Sequence, residues 1–166
     1  MARDLLGATL TVRFGGKVRS ARIVETEAYM RNDPASHAFR GPTPRNRSMF
    51  SRPGTLYVYR IHQVVCANLV ARRGEAVLLR AAAVKGLVPK AASGPGRLCR
   101  VLGISREDDG EDAVSGRRIE VRLGGERVKG VLVGRRVGIR RAVDRPLRFA
   151  LENESAVSRI RSFTTG

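Results

Sequence analysis

The sequence predicts an α+β fold in a single domain spanning residues 1–166, built on a curved, mostly antiparallel sheet with a few short helices. Three observations predict it. The chain has 166 residues, enough for one core and too few for two ordinary domains. Its apolar residues recur mainly with the two-residue period of strands, in runs separated by turn signals. Helix signatures are few and short, and no repeat, low-complexity tract or linker interrupts the pattern.

Residues 8–14, Ala-Thr-Leu-Thr-Val-Arg-Phe, alternate as a strand. Gly15-Gly16 supplies a turn, and Val18 to Tyr29 forms the return strand of a β-hairpin. A polar connection runs from Arg31 to Pro44, where Thr43-Pro44 reads as an N-cap and first helical residue for a short helix or turn through Arg45 to Phe50. Three apolar runs follow, Leu56 to Ile61, Val64 to Val70 and Ala76 to Val84, which predict an antiparallel meander. Ser93-Gly94-Pro95-Gly96 opens a helix through Leu102, and an acidic loop covers Asp108 to Asp112. Short strands are expected at Arg118 to Leu123, Val128 to Val133, Arg136 to Ile139 and Leu147 to Leu151.

The charge balance points to a polyanionic partner. There are 32 Lys and Arg against 15 Asp and Glu, a formal charge of +17, and each phosphate neutralised releases condensed counterions. Arginine carries almost all of this charge, with lysine only at Lys17, Lys85, Lys90 and Lys129; guanidinium suits bidentate phosphate contacts and stacking on bases. Cys66 and Cys99 stand apart with no CxxC partner, so two buried, reduced thiols are expected. The N-terminus lacks a long apolar run and no segment approaches the roughly 20 apolar residues that span a bilayer. A soluble intracellular protein is the expectation.

Inside this basic chain, acid and ring chemistry concentrate in Ile23-Val24-Glu25-Thr26-Glu27-Ala28-Tyr29. Strand period puts Glu25, Glu27 and Tyr29 on one face, and the same period aligns Tyr57 with Tyr59. All three tyrosines of a chain without tryptophan lie in these two strands. Spacing alone leaves two readings equal, a general base or glutamates paired with surface arginines. Two histidines and two isolated cysteines cannot supply a zinc deaminase site. None of the four lysines lies in the acidic block, so an amine nucleophile of the lyase type is not expected.

Several blocks carry a resemblance. Glu25-Thr26-Glu27-Ala28-Tyr29, His37, Thr43-Pro44-Arg45-Asn46-Arg47-Ser48-Met49-Phe50, Pro53 through Tyr59, Cys66-Ala67-Asn68, Val77 through Ala81, Ser93 through Leu98 and Pro146-Leu147-Arg148-Phe149 resemble the ordered blocks of alkyladenine (3-methyladenine) DNA glycosylases, in a compact bacterial form. The resemblance implies a monofunctional base-excision repair enzyme, without metal or cofactor, that hydrolyses the N-glycosidic bond of alkylated or deaminated purines. It makes Glu27 the base that activates water at C1′ and places Tyr29, His37 and Tyr59 around the flipped base. Asn68 would exclude the amino group of normal guanine. Arg80 would hold phosphate beside the extruded nucleotide, with Arg45 and Arg47 adding backbone contacts. Cationic alkylpurines would gain from electron-rich ring faces.

The partner implied is damaged DNA, approached from the minor groove by a monomer in the cytoplasm, associated with the nucleoid. Where the family carries a wedging tyrosine on a protruding β-hairpin, this chain has His62, in a turn one residue shorter. Weaker flipping of intact pairs is the expected consequence. The stretch from Ala83 to Ser93 is also short. The competing reading is a non-catalytic basic module that binds nucleic acid with the same arginines and tyrosines.

Overall fold

The computed structural model describes residues 1–125, 128–158 and 163–165. Its frame is a curled antiparallel sheet whose longest strand is β2 (Lys17–Tyr29). The first hairpin pairs β1 (Thr9–Phe14) with the N-terminal half of β2, from Thr9 opposite Arg22 to Phe14 opposite Lys17. Gly15 and Gly16 close it with φ of 55° and 71°, the two positive values that match a tight turn to the right-handed strand twist. Alternation in β1 buries Leu10 and Val12 and leaves Thr9 and Arg13 outward.

The second half of β2 changes partners. One edge leaves β1 and takes up β8 (Arg148–Leu151), with Glu25 opposite Ala150 and Glu27 opposite Arg148. Its other edge pairs with β5 (Glu75–Val84), and there the register slips on both sides of Glu25. Such an irregularity bends a strand and increases its twist. From this bend the sheet runs outward through β4 (Val64–Arg72) to β3 (Leu56–Ile61) on one side, and through β8, β7 (Val131–Gly134) and β9 (Phe163–Thr165) on the other. β6 (Ile119–Arg122) pairs with β1.

One helix, α1 (Pro95–Leu102), seals the sheet. Pro95 occupies its first turn, where no backbone donor is needed. Leu98, Cys99 and Leu102 face inward, joining Leu10, Ile23, Leu56 and Leu79 in the main core. Both cysteines are free and buried. With α1 on one face and the residue 31–50 segment near the other, β5 is buried almost continuously from Ala76 to Ala82, as strands covered on both faces are.

Most expected elements appear, with three differences. Arg136 to Ile139 is not a strand: Gly138 takes a φ of 81°, and the Val137 amide goes to a glutamate instead of a neighbouring strand. β7 begins at Val131 rather than Val128. The helical signal at Thr43-Pro44 becomes a turn followed by a 3-10 helix at Arg47–Phe50. Among the described residues no helix is long and apolar enough to cross a membrane.

Candidate active site

The bend in β2 sends Glu25, Glu27 and Tyr29 to one side, as strand period predicts. Both glutamates are completely buried. Glu27 Oε1 accepts the Val137 N–H at 2.9 Å and lies 3.3 Å from Arg80 Nη1; Oε2 accepts the Tyr29 hydroxyl at 2.9 Å. Burial raises the Glu27 pKa above the ordinary carboxylate value, opposed by Arg80, the Val137 amide and the Tyr29 hydroxyl. Burial and the adjacent Glu27 charge also raise the Tyr29 pKa, so the phenol stays protonated and donates.

Glu25 has a different office. Its Oε1 accepts Arg80 Nε and Arg148 Nε, each at 2.8 Å, and the Ser158 hydroxyl at 2.9 Å, while Oε2 accepts the Ser158 amide at 2.7 Å. One carboxylate therefore fixes two guanidinium groups from β5 and β8. Arg80, expected beside a phosphate, is only 6% exposed and lies against both carboxylates. Both flanking glutamates claim its guanidinium, so it acts inside the sheet and sets the charge environment of Glu27.

Beside Glu27, the Tyr29 side chain lines a cavity of about 280 Å³ with His37, Tyr57, Tyr59 and Asn68. That volume lies at the small end of ligand pockets and suits one bicyclic ring. His37 packs edge-on to Tyr59 with centroids 4.6 Å apart, and Tyr57 and Tyr59 lie 5.6 Å apart. The His37 Nδ1 is 2.8 Å from the Tyr57 hydroxyl, and partial burial lowers the imidazole pKa. Asn68 sits opposite Tyr57 on β4 and donates from Nδ2 to the Tyr57 carbonyl at 3.0 Å. The structure places Tyr29, His37, Tyr59 and Asn68 around one cavity, with Glu27 behind Tyr29.

Two braces hold the loop that carries His37, and neither was visible as a sequence pattern. Asp33 pairs with Arg136 in full burial, and Arg136 also donates to the Ala28 carbonyl at 3.0 Å. This brace spans 103 positions, which no local periodicity records. Asn46 accepts the Thr43 amide at 2.6 Å and donates to the His37 and Gly41 carbonyls at 2.8 and 3.1 Å. The block containing Asn46 was singled out for its arginines, yet its amide does the local positioning.

Outside the cavity, a wider groove carries Arg45 and His62 together with Arg40, Arg60, Arg106 and Arg141. Arg47 is exposed but does not line it. The β3–β4 turn has only His62 and Gln63 between the paired residues Ile61 and Val64. His62 takes a φ of 52°, a left-handed conformation that favours glycine. Arg60 steadies this turn through the His62 carbonyl at 3.0 Å and Gln63 Oε1 at 2.6 Å.

A buried carboxylate thus lies behind a ring-lined cavity that adjoins a groove lined by several arginines. The sequence profile described as methylpurine-DNA glycosylase matches residues 1–155, and the chain belongs to that family. Similar proteins include one from Agrobacterium fabrum, 44% identical over 172 residues that cover 96% of this chain and 86% of that protein. Another, from Synechococcus elongatus, is 42% identical over 160 residues, 93% of this chain and 82% of its own length. A third, from Methanoculleus marisnigri, is 42% identical over 180 residues, covering 96% and 92%. Each carries the name "Putative 3-methyladenine DNA glycosylase".

Replacing Asn46 with alanine removes the bonds that fasten the His37 loop and takes this donor from the part-buried His37 and Gly41 carbonyls. Urea unfolding should show a loss of about 1–3 kcal/mol; a loss below about 0.5 kcal/mol, the usual effect of a neutral surface change, would show that the loop stands without it.

Proposed function

We propose that this chain is a monofunctional DNA glycosylase that hydrolyses the N-glycosidic bond of flipped alkylated or deaminated purines with water activated by Glu27. The observation that carries the proposal is the Glu27 carboxylate, fully buried next to the ring-lined cavity. A carboxylate offers about four acceptor positions. Val137, Tyr29 and Arg80 engage three directions around Glu27, which leaves capacity for one water. Family membership and the names of the relatives support the same chemistry.

In the proposed reaction, a nucleotide leaves the helical stack because its glycosidic bond is inaccessible there. The base enters between Tyr29, His37 and Tyr59, where ring contacts offset part of the unpairing cost. Asn68 on the cavity wall would disfavour the extra amino group of guanine. As the C1′–N bond lengthens, positive charge grows on the sugar, and Glu27 both stabilises it and accepts the proton of the attacking water. Arg45 and the other groove arginines would hold the flanking phosphates, with Arg47 on the adjoining surface; the approach would be from the minor groove.

Duplex oligonucleotides containing hypoxanthine, ethenoadenine or 3-methyladenine, assayed for abasic sites, test the mechanism. Wild type should release base, and Glu27→Gln should lose at least about a hundredfold in rate, the lower end of general-base contributions. Because burial opposes ionisation of Glu27, the rate should rise with pH through a midpoint above the ordinary glutamate value and then level off. Equal rates for the two proteins, or an acid limb at the ordinary value, would defeat the mechanism.

His62 offers a smaller ring than a wedging tyrosine at the hairpin tip. A His62→Tyr variant is therefore expected to excise faster from fully paired duplex, with little change on single strands, where no stack must be opened. Unchanged rates on both substrates would remove the hairpin tip from the flipping step.

A further inference from the structure

We propose that Ser158 is a positioning residue of the active site, whose hydroxyl governs how Arg80 is divided between Glu25 and Glu27. The inference rests on the reading of Glu27 as the base and adds a residue to it. Ser158 lies beyond the residues matched by the family profile, and it does not line the cavity. It acts through Glu25.

The contacts converge on this one side chain. Ser158 is buried; its hydroxyl donates to Glu25 Oε1 at 2.9 Å and its amide donates to Oε2 at 2.7 Å. The same hydroxyl oxygen lies 3.4 Å from Arg80 Nη2 and 3.4 Å from Arg148 Nη2, placed to accept from both. Arg148 Nη2 also donates to the Ser158 carbonyl, and the Lys90 ammonium donates to the Val157 carbonyl at 2.9 Å. The backbone bonds therefore hold this position without help from the hydroxyl.

The charge inventory around Glu27 shows why a neutral hydroxyl matters. Glu27 is faced by Glu25 and Tyr29 on its own strand, Arg80 on β5, Arg148 on β8 and the Cys66 thiol on β4. Burial raises the pKa of both Tyr29 and Cys66, so each stays neutral. Arg136, over the Tyr29 ring, is taken up by Asp33. The charges left to set Glu27 are Glu25, Arg80 and Arg148, and Ser158 touches all of them. Its 2.9 Å bond to Glu25 outweighs the contacts at 3.4 Å, which lie past the usual hydrogen-bond distance. Without the hydroxyl, Glu25 keeps more uncompensated negative charge. It then draws Arg80 more firmly, and Glu27 binds its proton more tightly.

The pH dependence of single-turnover hypoxanthine release from a duplex tests this, together with NMR titration of the Glu27 carboxyl carbon. In Ser158→Ala both midpoints should rise by about half a pH unit, a fraction of the roughly 1–3 units that a full neighbouring charge exerts. At a pH below the wild-type midpoint, that rise slows release about threefold. Ser158→Thr keeps a hydroxyl and should retain the wild-type midpoints. A purely structural role would lower the plateau rate or the stability of Ser158→Ala and leave its midpoints in place, which overturns the inference and spares the glycosylase reading. Midpoints that rise equally in the Thr variant also overturn it, by tracing the change to packing. If wild type releases no base, the glycosylase reading falls, and the carbon titration alone then upholds or overturns the hold of Ser158 on Glu27.

Discussion

The site depends on burying two glutamates side by side with two arginines. Isolated ions of this kind would each lose several kcal/mol on leaving water, and the arrangement persists because every charge has an opposite neighbour. Glu25 binds Arg80, Arg148 and Ser158. Arg80 then reaches Glu27 at the longer distance of 3.3 Å. This inequality matters chemically. A carboxylate fully neutralised by its own arginine would be a poor base, whereas Glu27 shares an arginine more tightly held by Glu25 and retains a raised pKa.

The fold is arranged to make that sharing geometrically possible. β2 bends where it exchanges β1 for β8, which brings Arg148 across from Glu27 in register. The irregular segment after β7 supplies the Val137 amide to Glu27 and the Arg136 guanidinium to Asp33 and Tyr29. One segment thereby holds the Glu27 carboxylate, the Tyr29 ring and the root of the His37 loop. A regular strand there would direct the Val137 amide to another strand.

The sheet was legible in the sequence because it follows two-residue period and turn chemistry, whereas the grouping of Tyr29, His37, Tyr59 and Asn68 was expected only from the family resemblance. β3 was placed with its observed bounds, and the shared face of Glu25, Glu27 and Tyr29 followed from alternation. What sequence could not show were pairings over long separations. The phosphate role of Arg80 was implied by the family resemblance, and a lone arginine carries no sign of burial; the packing of β2, β5 and β8 reveals its two glutamates. Arg136 to Ile139 alternated like a strand, yet Gly138 and the demand of Glu27 for a donor bend it away. β9 lay in a segment whose short alternation gave no strand signal.

The central proposal is that Glu27 is a base whose proton affinity burial raises and whose lowering by Arg80 is limited because Arg80 also binds Glu25. Titrating the assigned Glu27 carboxyl carbon by NMR in wild type and in Glu25→Gln measures this directly. The wild-type midpoint should lie above the ordinary glutamate value of about 4.3, and it should fall in Glu25→Gln, where Arg80 is released toward Glu27. A wild-type midpoint at or below that value, or one that does not fall in a folded Glu25→Gln protein, would contradict the account.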